Sequence, residues 1–310
     1  MAKAAPSKTG KPASLYSKKK QQDDPIWFSI IFDFFKTRTL RKLSFSVLLV
    51  GLYTFACDYA ENEIFHIDFK PPSTIYSLLG IVLGLLLVFR TNTAYDRWWS
   101  GRILLSTLSS NGRNFAIKLN AILPKNDLSN RLFFSKMIAN HAFAMKENLR
   151  GGVNYDELSE TDEKLFPHLQ SVYHVPNEIM ALVSERITEL YRQEKITDAQ
   201  LLDLNKYTDV ATEVVGSCER IRTSPVPFSY AIHLKKFIFF FTVILPFGFI
   251  HDLGYWSVVI IMLIFYALVG LEAIGEEIED PFGQDENDLP IDGICKSIKN
   301  SVSALLRVEY

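Results

Sequence analysis

The stretch that decides the fold is LLGIVLGLLLVFRTNTAYDRWWSGR, which runs from Leu78 to Arg102. Its uninterrupted apolar run ends at Arg90, and a segment rich in charged and aromatic residues follows. Such a boundary is typical of a helix that leaves the hydrocarbon core of a membrane for the aqueous phase. We therefore predict that a membrane-spanning helix ends close to Arg90.

Two side-chain patterns lie within this apolar run. Ile81, Leu85 and Phe89 recur every four residues, so on a helix they form one stripe of bulky apolar side chains. Gly80 and Gly84 form a GxxxG pair, which lets neighbouring helices approach closely in lipid. If several copies of the helix surround an axis, the stripe becomes the apolar neck of a channel. Periodicity alone leaves open that the stripe faces lipid or a neighbouring helix.

The chain contains four apolar segments around a polar middle. The predicted membrane helices cover about residues 43–60, 74–92, 235–250 and 255–273. The first two apolar runs are shorter than the roughly 20 residues that a spanning helix needs, so we expect both helices to extend into their flanks. The third and fourth are joined by the short turn 251–254, which predicts a helical hairpin, and Pro246 predicts a kink or break within it.

The distribution of lysine and arginine predicts the orientation of these helices. Basic residues precede the first and third segments and follow the second: Lys36, Arg38, Arg41, Lys42, Arg90, Arg97, Arg102, Lys235 and Lys236. The connection between the first two segments is acidic instead, with Asp58, Glu61, Glu63 and Asp68. The positive-inside rule then places both termini and the middle region in the cytoplasm of a multi-pass protein.

The remaining segments complete the predicted domain organisation. Residues 1–25 are basic and rich in serine and proline, and we expect a disordered tail there. Residues 26–310 are expected to form a single domain, with a cytosolic helical region at about 93–234 and a cytosolic C-terminal segment at 276–310. Apolar residues in the middle region recur at three- and four-residue spacing, and Ser129, Asn177 and Thr197 are candidate helix N-caps. The predicted fold class is all-α.

Composition and motifs exclude several classes of function. A net charge of −2 in 310 residues gives no indication of a nucleic-acid partner. The chain lacks a P-loop, a dinucleotide-binding glycine motif, HExxH and GxSxG, and its six histidines are scattered, so an enzyme is not expected. Three widely spaced cysteines are interpreted as free thiols, and no resident cofactor is predicted.

Four separate motifs resemble the bestrophin family of ion channels, particularly its bacterial members. They are FRTNTAYDRWWSGR at 89–102, CERIRTSPVPFSYAIHL at 218–234, LPFGFIHDL at 245–253 and EEIEDPFGQDENDLPIDGIC at 276–295. The resemblance implies a homopentamer around one central pore, with four membrane helices per subunit and a large helical cytosolic part. It also implies passive conduction of monovalent ions across a bacterial inner (plasma) membrane, with chloride or another anion as the family label.

The resemblance assigns functional positions residue by residue. The neck of the pore falls on Ile81, Leu85 and Phe89, the same stripe that spacing identifies. A second narrowing, the cytosolic aperture, falls on Leu202 when residues are counted back from Cys218 without gaps. A register slip would move this aperture to Leu201 or Leu204.

The acidic segment after the fourth apolar helix resembles the calcium clasp of animal bestrophins. Asp280, Asp285 and Asp288 occupy matching positions, but Gln284, Glu286 and Asn287 interrupt what is a denser acidic cluster in the animal proteins. Carboxylates that converge in a loop can bind a hard cation such as calcium. They can also cap helices or solvate a surface, and those structural roles are favoured here.

Ion selectivity does not follow from the neck, because its side chains carry no formal charge. An anion channel is favoured, and a cation (sodium)-conducting homologue is the alternative. A membrane transporter or a membrane-anchored scaffold are further alternatives. A transporter needs a polar site near the bilayer midplane, for which only Thr242, Pro246 and His251 are candidates.

Overall fold

A computed structural model describes residues 38–61, 72–160, 165–285 and 287–309, with side chains from residue 43 onward. These residues form ten α-helices and one 3₁₀ turn, and they contain no strand, which confirms the all-α prediction for the described part of the chain. The predicted tail at 1–25 lies outside the described residues. So do Glu63 and Asp68 of the acidic connection.

The helices are numbered in chain order. They are α1 (Arg38–Tyr59), α2 (Ser73–Ile122), α3 (Leu128–Arg150), α4 (Leu165–Ser171), α5 (Val175–Arg192), α6 (Asp198–Thr223), α7 (Phe228–Ile244), α8 (Pro246–Leu253), α9 (Trp256–Glu279) and α10 (Ile291–Leu306). The 3₁₀ turn, Tyr155–Glu157, lies between α3 and α4.

The apolar helices pack into one layer of the molecule. Three of them are long and apolar enough to cross a membrane: α2, the α7–α8 pair and α9. Helix α1 contains a shorter apolar stretch, Leu43–Tyr59, so four membrane helices per subunit stays a prediction. Helix α9 packs against α1, α2 and α7, around a core that includes Leu83, Leu87, Phe241 and Ile261.

Helix α2 differs most from the prediction. The expected boundary at residues 92–93 between a membrane helix and a cytosolic region does not exist in the backbone, because one helix of 50 residues runs from Ser73 to Ile122. At about 1.5 Å per residue it is about 75 Å long. Leaving lipid changes the solvent but not the i→i−4 hydrogen bonds, and no proline interrupts this stretch.

Two other helices extend beyond the predicted membrane segments. Helix α7 begins at Phe228, seven residues before the predicted start at 235, and α9 continues to Glu279 instead of ending at 273. The break at Pro246 is confirmed, since α7 ends at Ile244 and α8 begins at Pro246. Both extensions carry the membrane helices into the polar region, where the functional contacts described below are made.

Helix caps agree only in part with the sequence. Thr197 caps α6 in a reciprocal arrangement with Gln200, as predicted. Helix α3 is capped by Asp127 and not by Ser129, and α5 is capped by His174 and not by Asn177. Both helices start earlier than expected, because a side chain upstream of each predicted cap already accepts a hydrogen bond from the first turn.

A second core, which we name the cytosolic core after its predicted location, joins α2, α3, α5, α6 and α10. Its fully buried side chains include Phe134, Met145 and Ile179. Cys218 and Cys295 are buried free thiols, and Cys57 is half-buried. The second half of α2 therefore belongs to the cytosolic core, while its first half belongs to the membrane layer.

His141 on α3 is buried in this core, and its Nε2 has no hydrogen-bond partner among the described residues. Burial lowers the pKa of His141 to about 4, and the nearby His174 adds to this effect. The unfolded chain, with a histidine pKa near 6.5, then binds more protons than the folded one below that pH. The contribution of neutral His141 to the free energy of unfolding is complete above about pH 6.5 and is lost as the pH falls toward 4.

We expect acidification from pH 7.5 to pH 5 to lower the stability of the detergent-solubilised protein by about 2 kcal/mol through His141 alone. Thermal unfolding followed by circular dichroism at both pH values measures this loss. In His141→Gln the melting temperature should depend less on pH than in the wild type. His233→Gln, which replaces an exposed histidine, is the matched control and should keep the wild-type dependence. An unchanged pH dependence in His141→Gln would contradict the assignment.

Candidate pore-lining site

The predicted neck residues lie together on one exposed face of α2. Ile81, Leu85 and Phe89 are 69%, 54% and 56% exposed, whereas Leu83 and Leu87 on the opposite face are buried against α7 and α9. The chain therefore uses one side of α2 for its own packing and leaves the stripe uncovered. The structure confirms that the three side chains share a face, and their role in a pore stays a prediction.

The exposed face continues beyond the membrane part of α2. Trp99 and Ile103 follow on this face and are each about half-exposed, and the exposed polar residues Asn92 and Asp96 lie between them and Phe89. These residues come after Arg90, beyond the apolar run that is predicted to span the membrane. Large apolar side chains therefore stay uncovered on this face both within and beyond the predicted membrane segment, which calls for another cover, such as further copies of the chain.

Directly below the stripe, Glu279 joins three elements. Its carboxylate forms an ion pair with Arg90 of α2 and accepts a hydrogen bond from the backbone N–H of Val226, at 2.6 Å. The Glu279 carbonyl accepts a hydrogen bond from Nε of Arg97, at 3.0 Å. Because Arg90 follows Phe89 in the chain, this contact holds the cytosolic end of the predicted neck against the end of α9.

Arg97 extends the junction to α6. Its guanidinium donates to the carbonyls of Ile221, at 2.6 Å, and of Ser224, both at the C-terminal end of that helix. Free carbonyls at a helix C-terminus favour a cation there. The hydroxyl of Tyr230 adds a hydrogen bond to the carbonyl of Leu86, at 2.8 Å. The predicted neck is thus attached to the helix that carries the predicted aperture.

A second polar contact joins α7 to α9 at the same level. The Lys235 ammonium lies 2.9 Å from the Glu276 carboxylate and 3.5 Å from that of Glu272. Glu272 is buried, while Lys235 is exposed and can extend its charge into the headgroup region. All these charges lie at the end of the apolar helices that the positive-inside rule assigns to the cytoplasm.

The predicted aperture residue has an exposed side chain. Leu202 lies in the first turns of α6 and is 67% exposed, whereas Leu204 is fully buried and Leu201 is half-buried against the cytosolic core. Among the three registers that the sequence leaves open, Leu202 alone presents its side chain to open space. Next to it, Asp203 forms an ion pair with Lys118 of α2, at 3.0 Å.

The acidic loop packs against its own chain. Phe282 is fully buried between Gly101 of α2 and Leu289, and Arg150 donates to the Phe282 and Gly283 carbonyls. The indole N–H of Trp98 donates to the Asn287 carbonyl, at 3.0 Å. These contacts tie the loop to the polar part of α2, just below the predicted neck.

The candidate metal ligands do not form a metal site among the described residues. The carboxylate of Asp288 accepts a hydrogen bond from the backbone N–H of Asp285, at 2.5 Å, and the Asp280 carboxylate accepts one from the backbone N–H of Phe282. Burial raises the pKa of Asp288. In the described part of the chain, which omits residue 286, no three acidic, histidine or cysteine side chains are grouped to hold a metal ion. No calcium site is therefore proposed.

Sequence reasoning missed a buried charge cluster beneath this loop. The ammonium of Lys146, on α3, is buried and contacts the carboxylates of Glu157, of Glu147 at 2.9 Å and of Asp292 at 2.9 Å. Asp292 also pairs with Arg150, at 3.0 Å. The hydrogen bond from Lys146 lowers the pKa of Asp292 to about 2. Burial opposes the charge on Lys146, but the carboxylates outweigh it and raise its pKa.

This fold and these motifs have clear counterparts among known proteins. The family model described as "Bacterial/Fungal Bestrophin protein" matches residues 18–304. The chain belongs to the bestrophin family. The resemblance that the four motifs predict is thereby confirmed, and with it that this bestrophin is of a channel type and not an enzyme.

Named relatives of this bestrophin are bacterial. A protein of Nostoc sp. named "Voltage-dependent anion channel-forming protein" is 36% identical over 230 residues, which cover 73% of this chain and 75% of the relative. A protein of the same name from Escherichia coli K12 is 30% identical, with 84% and 85% covered. Among solved structures, a bacterial bestrophin homologue from Klebsiella pneumoniae superposes with a TM-score of 0.78 at 27% identity, over 86% of this chain and 99% of the other.

Proposed function

We propose that this bestrophin forms a homopentameric ion channel that conducts monovalent anions through a hydrophobic neck. One observation carries the proposal: the uncovered apolar face of α2, which runs from the membrane layer into the cytosolic part while the opposite face packs within the chain. If several copies of α2 surround an axis, this face points toward the other copies. Its first half is then shielded from lipid and its second half from bulk water. The neck is then formed by rings of Ile81, Leu85 and Phe89.

In this channel, ions enter a cytosolic vestibule through the ring of Leu202 and then cross the neck. A narrow ring of apolar side chains offers an ion few partners in exchange for its hydration water, so a dry neck opposes conduction and a wetted one permits it. The contacts of Arg97 and Glu279 couple the two narrowings, since they attach α2 to the end of α6. The gate is therefore proposed to be the wetting of the neck.

Anions are the proposed permeant ions because relatives that align over most of this chain are named anion channel-forming proteins. The neck itself carries no formal charge and does not discriminate by Coulomb attraction. Cation conduction is the second candidate, and the observation that favours it is an acidic residue on the exposed face of α2, discussed below. The proposed location is the bacterial inner membrane, with both termini in the cytoplasm.

Reconstitution of the purified protein into planar bilayers with asymmetric sodium chloride tests the proposal. Discrete unitary currents that reverse toward the chloride equilibrium potential are expected. Reversal toward the sodium potential would establish the cation alternative, flux without unitary currents would indicate a transporter, and the absence of any flux would leave a membrane-anchored scaffold. Native mass spectrometry of the solubilised protein should give the mass of five chains, and any other stoichiometry would contradict the pentamer.

A further inference from the structure

We propose that Asp96 forms a ring of carboxylates at the cytosolic end of the neck, where it draws cations into the pore and weakens the preference for anions. The proposal rests on the proposed function, because it needs several copies of α2 around an axis. It adds a residue that determines selectivity to a neck whose side chains are all uncharged.

The position of Asp96 follows from the unbroken helix. Asp96 comes seven residues after Phe89, which is about two turns, so the two side chains point within about 20° of one another and lie about 10 Å apart along the axis. Asn92 lies between them on the same face, and both Asn92 and Asp96 are exposed. If Phe89 faces the pore axis, Asp96 therefore faces it too.

No positive charge in the described part of the chain neutralises this carboxylate. Among the described residues, no basic side chain lies within ion-pair distance of Asp96. Two of the three nearest arginines along α2 are committed elsewhere, since Arg90 is buried against Glu279 and Arg97 donates to three backbone carbonyls. The third, Arg102, lies about 120° around the helix from Asp96 and stacks over Trp98.

Asp96 is the first formal charge that follows the neck on the face of α2 that carries the stripe. From Leu78 to Ile117, the other residues in phase with the stripe are uncharged: Leu78, Ile81, Leu85, Phe89, Asn92, Trp99, Ile103, Thr107, Ser110, Asn114 and Ile117. Lys118 shares this face about 33 Å further along the helix, where its ammonium is paired with Asp203, and Arg113 lies about 100° around the helix from Asp96. An ion that leaves the neck toward the cytosol therefore meets a ring of one sign before any other charge from this helix.

A ring of like charges beside a low-dielectric wall concentrates counter-ions and repels ions of its own sign. The Debye length is about 8 Å at physiological ionic strength and about 30 Å at 0.01 M, so the effect on the pore axis is larger in dilute salt. Removing the ring should raise the permeability of chloride relative to sodium by about threefold in dilute salt, and by less in concentrated salt.

The test is the reversal potential of reconstituted Asp96→Asn in asymmetric sodium chloride, at low and at high ionic strength. We expect a shift toward the chloride potential that shrinks in concentrated salt. Asp96→Glu keeps the charge and should retain the wild-type reversal potential, while Asp96→Ser offers a second neutral variant should Asp96→Asn fail to assemble. Asp156→Asn is the matched control, because it removes an exposed aspartate of the 3₁₀ turn, on neither α2 nor α6.

The outcomes separate this proposal from the proposed function. Unitary currents with the same reversal potential in the wild type and both neutral variants would overturn the role of Asp96 and leave the channel intact. An equal shift in Asp156→Asn would overturn it as well, because the effect would then come from overall charge. The absence of unitary currents in the wild type itself would overturn the channel, and the ring of Asp96 with it.

Discussion

Replacing Leu85 with alanine is expected to raise the product of unitary conductance and open probability by about tenfold, because lowering the barrier in the neck by about 1.4 kcal/mol is enough for that change. Leu85 is the middle residue of the stripe, between Ile81 and Phe89. In an apolar constriction the barrier arises from lost hydration, and a smaller side chain leaves room for water to accompany the ion. Single-channel recording in planar bilayers measures both quantities.

The control for this variant is Leu263→Ala. Leu263 lies in α9 and is 65% exposed, so the same side chain is truncated at a membrane position with similar exposure but on a different helix. Its conductance and open probability should remain at the wild-type level. If Leu85→Ala showed values no higher than the wild type while still giving unitary currents, Leu85 would not form the gate and the stripe would need another explanation.

Replacing Lys146 with methionine is expected to destabilise the protein by about 3 kcal/mol, because the carboxylates around it, which are one-fifth to one-half exposed, lose their counter-charge. Lys146 is buried, and its partners come from α3, the 3₁₀ turn and α10. For a chain of this size we expect the melting temperature of the solubilised protein to fall by about 10 °C. Circular dichroism during heating measures the shift.

Lys118→Met provides the matched comparison. Lys118 also forms an ion pair, with Asp203, but both side chains are more than one-third exposed, so we expect a much smaller loss of stability than for Lys146→Met. The double variant Lys146→Met/Glu157→Gln should recover part of the stability, because the carboxylate of Glu157, which pairs with Lys146, becomes neutral. Equal effects of Lys146→Met and Lys118→Met would show that burial of the cluster contributes nothing.

The cluster also predicts how stability responds to acid. The pKa of Asp292 is lowered to about 2 in the folded protein, against an ordinary value near 4 for an unfolded aspartate. The carboxylate therefore stabilises the fold above about pH 4, and this contribution is lost as the pH falls toward 2. The pH range over which Asp292 loses its contribution lies below that of His141, so a series of pH values can separate the effects of the two groups on stability.

Local patterns in the sequence determined much of this protein. Four features depend only on neighbours within a few residues: the apolar runs, the basic residues at their ends, the break at Pro246 and the cap at Thr197. The structure contains the apolar helices, the break and the cap. The stripe of Ile81, Leu85 and Phe89 follows from helical spacing alone. Because helix periodicity is a local property, residues at four-residue spacing share a face whatever surrounds them.

Other features required the tertiary structure. The sequence assigned the aperture to Leu202 and left Leu201 or Leu204 as the result of a register slip, and only the packing of α6 buries Leu204 and exposes Leu202. The sequence also did not predict the ion pairs of Arg90 with Glu279 and of Lys146 with Asp292. In each pair the two residues are more than 140 positions apart in the chain. Such pairs form only when distant helices meet.

The continuity of α2 depends both on local sequence and on tertiary contacts. Each of its halves is recognisable in the sequence, one by apolar residues and the other by amphipathic spacing, but the change of composition at Arg90 suggested an end that the backbone does not have. Composition reports the solvent around a segment, whereas the helix ends where its hydrogen bonds are interrupted. The tertiary contacts of Arg90 and Arg97 satisfy the charges at this boundary, so one helix passes from the membrane layer into the cytosolic core.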